Sequence, residues 1–502
     1  MTHKILYNYI NGKWTKSKTN EYDDIRNPAT GELIARNTRS TKAEVQEAVR
    51  CAEEAFSDWR NTPVPDRVQP LFKFAKYLKD NQKDLAVQMV NEHGKTFKEA
   101  ATEIMRSWQY VEHACAAPDL MKGEITLDVG HDISEYFVRV PLGVFCFLGP
   151  FNFPALTSLY WVWAVACGNT VVVKAPSKTP CTLNKIFEEG VDKVGFPNGV
   201  VNLLNCSGST FSSALELDAV KGITFIGSTK IGHQVYKLAA DNGKRAQCMT
   251  GAKNCAVVMP DTNFTSDAIM GNLLRSCFGN TGQRCFAISN ILPMAEIYEP
   301  FKKRFVDATK NLKVGYGLDE ETDVGPVVAK DNLEMLHKEI ENGLEEGAKL
   351  LLDGRNIKVK RYPNGNWLGP TIFEVKDVKP AMYLLEEEVF GPVVCLKKVE
   401  SLDEAIGFIN TGKYGHSAVI YTEMGEWAQR FTKGVNVGQV GVNIGTPAPI
   451  GFYPLGGRRQ SKFGALRSRG RQAFDFYTDQ KVVITRWLGA REAFEKTWIE
   501  NI

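Results

Sequence analysis

Apolar residues at Val45, Val49, Ala52 and Phe56 recur at the three-to-four spacing of one helix face, and predict a helix over Lys42–Trp59. Similar stripes predict amphipathic helices over roughly 66–94 and 97–117, and Asn27-Pro28-Ala29-Thr30-Gly31 reads as a turn between two short strands. From Gly143 the pattern changes. Val144-Phe145-Cys146-Phe147-Leu148 is an unbroken apolar run ending in Gly149-Pro150. Thr170-Val171-Val172-Val173 and Ile223-Thr224-Phe225-Ile226 are two more, each followed by a helical segment. Strands apolar on both faces, separated by helices, predict an α/β chain with a parallel doubly wound sheet. A second alternating region runs over about 255–441. The stretches 133–140 and 474–487 instead alternate apolar and polar residues, as half-buried antiparallel strands do. The second follows the end of the compact pattern. An isolated hairpin is marginal in water, so a ribbon that pairs with another subunit is expected there.

At 502 residues the chain is long enough for two or three domains. A net charge of +3 is close to balance and gives no reason to expect nucleic acid or an anionic membrane as partner. The eleven cysteines form no Cys-x-x-Cys and no Cys/His metal spacing, which suits a reducing, cytoplasmic setting without a bound metal. Met1-Thr2-His3-Lys4-Ile5-Leu6-Tyr7 has no apolar core of a signal peptide, and the apolar stretch 156–167 is too short to span a bilayer.

Candidate chemistry gathers at the carboxyl ends of the predicted strands, where open parallel sheets bind ligands. Ile226-Gly227-Ser228-Thr229-Lys230-Ile231-Gly232 follows a strand and opens a helix, whose free amides make a seat for a pyrophosphate. A purely structural strand-to-helix turn has the same pattern. Lys174 ends the strand Val171-Val172-Val173; it can bind a dinucleotide or simply cap the strand in solvent. Cys285 follows the polar, glycine-bearing run Asn280-Thr281-Gly282-Gln283-Arg284, and the adjacent Arg284 cation can lower a thiol pKa. Asn152, just past the strand ending at Leu148, can donate to a developing oxyanion or serve as a turn residue. No carboxylate stands near Cys285 in sequence, and Met249-Thr250-Gly251-Ala252-Lys253 upstream lacks one as well.

Phe151-Asn152-Phe153-Pro154, Gly168-Asn169-Thr170, Gly227-Ser228-Thr229, Gly282-Gln283-Arg284-Cys285 and Glu388-Val389-Phe390-Gly391-Pro392 resemble the aldehyde dehydrogenase superfamily in order and spacing. Thr250-Gly251-Ala252-Lys253-Asn254, Asn443-Ile444-Gly445-Thr446-Pro447-Ala448-Pro449 and Asp475-Phe476-Tyr477-Thr478 most resemble its CoA-acylating methylmalonate-semialdehyde branch. The resemblance implies a Rossmann-type dinucleotide-binding domain (1–130 and 142–254), an α/β catalytic domain (255–445) and an oligomerisation ribbon (131–141 and 470–502) in a homotetramer. It implies Cys285 as nucleophile, with Asn152 and the Cys285 amide holding the oxyanion. Lys174, Gly227 and Ser228 would contact the dinucleotide, Glu388 and Phe390 the nicotinamide riboside. Arg106 and Arg284 match the two arginines that clamp a substrate carboxylate.

The chain departs from the wider pattern twice. Hydrolytic members carry a glutamate four positions before the lysine that Lys253 matches, and here Met249 occupies that place. General-base help is worth roughly 10²–10⁴-fold, so water is a poor acyl acceptor and coenzyme A, a stronger nucleophile, is expected. A malonate-type acyl group would lose its β-carboxylate as CO₂ or bicarbonate, leaving acetyl-CoA or propionyl-CoA. The competing reading is a hydrolytic NADP-dependent enzyme in which Glu388 or bound water replaces the base. In the second departure, Ser177 stands where NAD-using members have a ribose-binding glutamate, and Lys178 follows it. Losing an acid and gaining a base makes room for a 2′-phosphate and leans toward NADP, against the NAD preference of the branch, so both cofactors stand.

Overall fold

A computed structural model of the chain describes residues 4–375 and 383–487. Two mixed sheets dominate. The first has eight strands in the order Lys462–Phe463, Arg245–Met249, Val220–Ile226, Val144–Leu148, Thr170–Lys174, Val201–Leu204, Asn8–Ile10 and Lys13–Thr15. Its five central strands are parallel, and antiparallel neighbours flank them on both edges. The apolar runs anticipated from sequence occupy the middle: Val144, Phe145, Cys146 and Phe147 are at most 2% exposed, because helices cover both faces. From Val144–Leu148 the chain adds strands on one side, then crosses to Val220–Ile226 on the other. Such a reversal of strand order leaves a crevice at the carboxyl edge.

The second sheet has seven strands in the order Lys349–Leu352, Thr371–Val375, Val393–Lys397, Ile288–Pro293, Asn254–Val258, Ser417–Tyr421 and Gln439–Val442. A third, three-stranded sheet pairs Thr478–Arg486 antiparallel with Ile133–Pro141, which also pairs with Ile125–Gly130. Ile125, Leu127, Val482 and Ile484 are each more than 60% exposed on it. Among the described residues no helix is long and apolar enough to cross a membrane.

The helix Lys42–Trp59 forms where its apolar stripe places it, opened by a capping box between Thr41 and Glu44. Two expectations need correction. The segment 66–94 is broken: Gln69–Asp80 starts with a proline in its first turn, and Asn81 leaves helical geometry before Gln82–His93. The alternation over 474–487 is a strand only from Thr478. Arg471–Tyr477 is a helix whose Phe474, Phe476 and Tyr477 are buried, with the Tyr477 ring edge-on to Phe145 at 5.0 Å. Alternate aromatics there satisfied core packing rather than a pleat. Residues 488–502 of the expected ribbon lie outside the described residues.

Candidate active site

Cys285 is partly exposed, whereas the other ten cysteines are buried. The turn before it is left-handed for three residues running, Asn280 (φ 55°), Thr281 (φ 57°) and Gly282 (φ 68°). Side chains rarely adopt that region, so the turn persists only because its surroundings over-determine it. The Asn280 amide donates to Glu99 Oε1 at 2.7 Å, and Thr281 Oγ1 donates to the Gly325 carbonyl at 3.0 Å. Gly282 has no alternative, since a Cβ there would lie 2.0 Å from the carbonyl oxygen of Gly391. This contact joins the cysteine turn to the Glu388–Pro392 segment, in which Phe390 is also left-handed (φ 56°). Past the nucleophile, Asn254 Nδ2 donates to the Cys285 and Ala287 carbonyls at 2.8 and 2.9 Å.

Asn152 reaches the same turn from the first sheet. Its Nδ2 donates to the Gln283 carbonyl at 2.9 Å, two residues before the thiol, leaving the second N–H of the amide to donate elsewhere. A buried ion pair supports it from beneath. Lys95 Nζ lies 2.6 Å from Glu103 Oε2, donates to the Asn152 carbonyl at 2.7 Å, and sits 4.5 Å from the Phe153 ring centroid. Glu103 Oε1 in turn accepts the amides of Ala155 and Leu156 at 2.9 and 3.1 Å. Neither Lys95 nor Glu103 was singled out from sequence, yet one signal was present: Glu103 is a carboxylate on the buried stripe of Phe97–Ala114, between Ala100 and Ser107.

The electrostatics revise one reading. Burial, and secondarily the charge of Glu388, push the Cys285 thiol up to about 12, while Arg469 pulls the other way. Arg284 is engaged elsewhere. Its guanidinium is held by Glu99 at 2.6 Å, and Glu99 also closes the capping box of Phe97–Ala114. The thiol is not without an acidic neighbour either. Glu388, far off in sequence, comes within electrostatic reach of it; a Cβ on Gly251 would lie 3.1 Å from Glu388 Oε2. Burial raises the Glu388 carboxyl to about 8, against the Ala252 amide and Lys253, which lower it. At neutral pH it is mostly protonated. Met249 is buried in the apolar cluster against which Cys285 packs.

The dinucleotide candidates line the carboxyl edge of the first sheet. Thr229–Asp241 begins at Ser228 with no side-chain cap, so its first amides are free for a phosphate. Gly227 is required by packing, because a Cβ would meet the Phe225 ring at 2.6 Å. Lys174 is buried, with Nζ donating to the Ala175 carbonyl and Ser177 Oγ at 2.7 and 2.8 Å, and among the described residues it has no carboxylate within 4.0 Å. Lys178 is different: its ammonium lies 2.6 Å from Asp331 and also donates to Asn332. These features fit a dinucleotide without favouring a 2′-phosphate. Arg106, half-buried on Phe97–Ala114, has no carboxylate within 4.0 Å among the described residues.

The Aldehyde dehydrogenase family profile matches residues 14–483. A malonate-semialdehyde dehydrogenase of Lacticaseibacillus casei is 38% identical over 486 residues, covering 96% of this chain and 97% of the relative. The crystal structure of methylmalonate-semialdehyde dehydrogenase from Oceanimonas doudoroffii superposes with a TM-score of 0.93 at 34% identity, covering 98% of this chain and 100% of that one. A betaine aldehyde dehydrogenase of Staphylococcus aureus in complex with NAD⁺ superposes with a TM-score of 0.91 at 26% identity, covering 97% of each chain.

Proposed function

Because the chain belongs to the aldehyde dehydrogenase family, we propose that it oxidises malonate semialdehyde or its methyl homologue with NAD and passes the acyl group to coenzyme A. The observation that carries this reading is the junction at Cys285: a single accessible thiol, an asparagine amide tethered two residues away, and a methionine where hydrolytic members place a base. Cys285 attacks the aldehyde carbon, and Asn152 together with the Cys285 amide stabilises the resulting oxyanion. A nicotinamide cofactor, when bound, supplies the hydride acceptor. Cys285 is left as a thioester; the β-carboxylate departs as CO₂ or bicarbonate, and the thiolate of coenzyme A attacks the remaining acyl carbon, expelling the Cys285 thiolate and forming acetyl-CoA or propionyl-CoA. NAD is preferred over NADP because the cation that would greet a 2′-phosphate, Lys178, is already neutralised by Asp331. The exposed apolar face around Val482 and Ile484 would be covered by a second copy, in a homotetramer working in the cytoplasm.

One observation favours a second reading: Glu388 lies within electrostatic reach of Cys285, and its ionised form would activate water in place of the missing base. NADH formation from malonate semialdehyde, measured with and without coenzyme A, separates the two. Acyl transfer predicts a single-turnover burst that stalls until coenzyme A is added. Equal steady-state rates in both conditions would establish hydrolysis instead.

A further inference from the structure

We propose that Tyr414 is a positioning residue for the nicotinamide cofactor: by tethering Glu387 it holds the Glu388–Phe390 segment against the phosphate seat at Thr229, and so sets where the hydride acceptor lies relative to Cys285. This deepens the function proposed above. It rests on the dinucleotide reading and is independent of the acyl acceptor.

Four residues from around the two large sheets meet at Gly251. Thr229 and Gly251 follow strands of the first sheet, Val220–Ile226 and Arg245–Met249, while Glu388 and Tyr414 precede strands of the second, Val393–Lys397 and Ser417–Tyr421. A Cβ on Gly251 would lie 2.8 Å from Thr229 Oγ1, 3.1 Å from Glu388 Oε2 and 3.2 Å from Tyr414 Cε1. Three side chains thus converge on a point with too little room for a methyl group. The Gly251 amide donates to Thr229 Oγ1 at 3.1 Å, which fixes the first residue of the helix whose amides are free for a phosphate. The phosphate seat and the Glu388 segment are therefore joined through Gly251 and Tyr414.

Glu387 links Tyr414 to Glu388. Its Oε2 accepts the Tyr414 hydroxyl at 3.0 Å, and its Oε1 is paired with Lys413. The Lys413 side chain is 41% exposed, and an ion pair so open to water contributes little. The tyrosine is the directional half of the tether. Burial raises its hydroxyl to about 12, Thr229 opposes this, and Glu387 and Glu388 add to it, so at neutral pH the phenol is a donor among three polar neighbours. With both oxygens of Glu387 engaged, the next residue presents its carboxyl toward the Ala252 amide and Cys285. Farther along, left-handed Phe390 and the close approach of Gly391 to Gly282 pin the segment to the cysteine turn. Glu388 and Phe390 are suspended between these two anchors. Loosening the one at Tyr414 leaves the other in place, so it should disturb the cofactor while sparing the thiol.

The test uses full-length Tyr414→Phe, which keeps the ring and removes only the hydroxyl, with Glu387→Ala and Glu387→Gln as companions. The dissociation constant for NADH, read from quenching of protein fluorescence, should rise about 10-fold in Tyr414→Phe and Glu387→Ala, the effect of one hydrogen bond to a charged group. The single-turnover burst of NADH from malonate semialdehyde should slow by roughly 10- to 100-fold, because misplacement by about an ångström is costly at reacting atoms. Glu387→Gln keeps an acceptor for the phenol and should lose less than Glu387→Ala on both readouts. The double variant Tyr414→Phe/Glu387→Ala should be no worse than either single variant. Alkylation of Cys285 by iodoacetamide without cofactor should proceed at the wild-type rate throughout. Wild-type NADH affinity and burst rate in folded Tyr414→Phe would overturn the proposal, as would additive losses in the double variant or a matching loss of alkylation. If the wild-type enzyme binds NADH yet gives no burst with the semialdehyde, the substrate reading fails, and the NADH titration still decides the role of Tyr414.

Discussion

Replacing Lys95 by methionine removes the cation that joins the Phe97–Ala114 helix to the loop carrying Asn152. Both partners of its ion pair are at most 1% exposed at their side chains and 2.6 Å apart. Deleting one member of such a pair strands the other charge in the interior, at about 3–5 kcal/mol. The Asn152 carbonyl also loses its 2.7 Å donor, worth about another 1–3 kcal/mol where water cannot replace it. The second loss reaches the chemistry, because a shifted Asn152 no longer aims its free N–H. Removing an oxyanion donor outright costs roughly 10²–10³ in rate, so loosening it should cost about 10- to 100-fold in kcat. A chain of 502 residues lies beyond the size at which two-state unfolding is the rule, so the assay pairs the midpoint of thermal unfolding with kcat, and adds Glu103→Gln. Glutamine keeps an oxygen for the Ala155 and Leu156 amides but carries no charge. The double variant should therefore recover much of the midpoint lost in Lys95→Met, while kcat stays low. A wild-type midpoint and kcat in Lys95→Met, or a double variant no more stable than the single, would refute the reasoning.

Glu388 is held up to about 8 by burial, so it is neutral below that pH and becomes a carboxylate facing Cys285 above it. The rate of the NADH burst should accordingly carry an inflection near pH 8 that Glu388→Gln abolishes; a retained inflection assigns it to another group. Met249→Glu places a carboxylate in the apolar cluster against which Cys285 packs, and should give turnover without coenzyme A, rising by about 10²-fold over wild type in a folded variant. Freeing Lys178 by Asp331→Ala should lower KM for NADP several-fold relative to NAD, whereas Lys178→Ala should change the ratio little; the opposite pattern would show that Lys178 already faces the cofactor. Placing aspartates at Val482 and Ile484 should shift the enzyme to a smaller species in size-exclusion chromatography, and an unchanged elution would remove the ribbon from the interface.

The strands of the first sheet were legible because burial on both faces leaves a mark in the chain itself, as in Val144-Phe145-Cys146-Phe147 and Thr170-Val171-Val172-Val173. Local glycine geometry was legible for a similar reason: Gly282 occupies a position with no room for a side chain. Pairings between distant residues leave no such mark. Cys285 seemed to lack an acid because Glu388 lies about a hundred residues downstream, and the close approach of Gly282 to Gly391 helps bring the two segments together. Arg284 looked like a free cation because its counter-ion, Glu99, sits in a helix cap whose partners are set by the fold. Lys178 looked like a phosphate ligand until Asp331 arrived from across the molecule. These readings share one form: a charge was judged by its sequence neighbours, while its energy depends on what the fold places within a few ångströms.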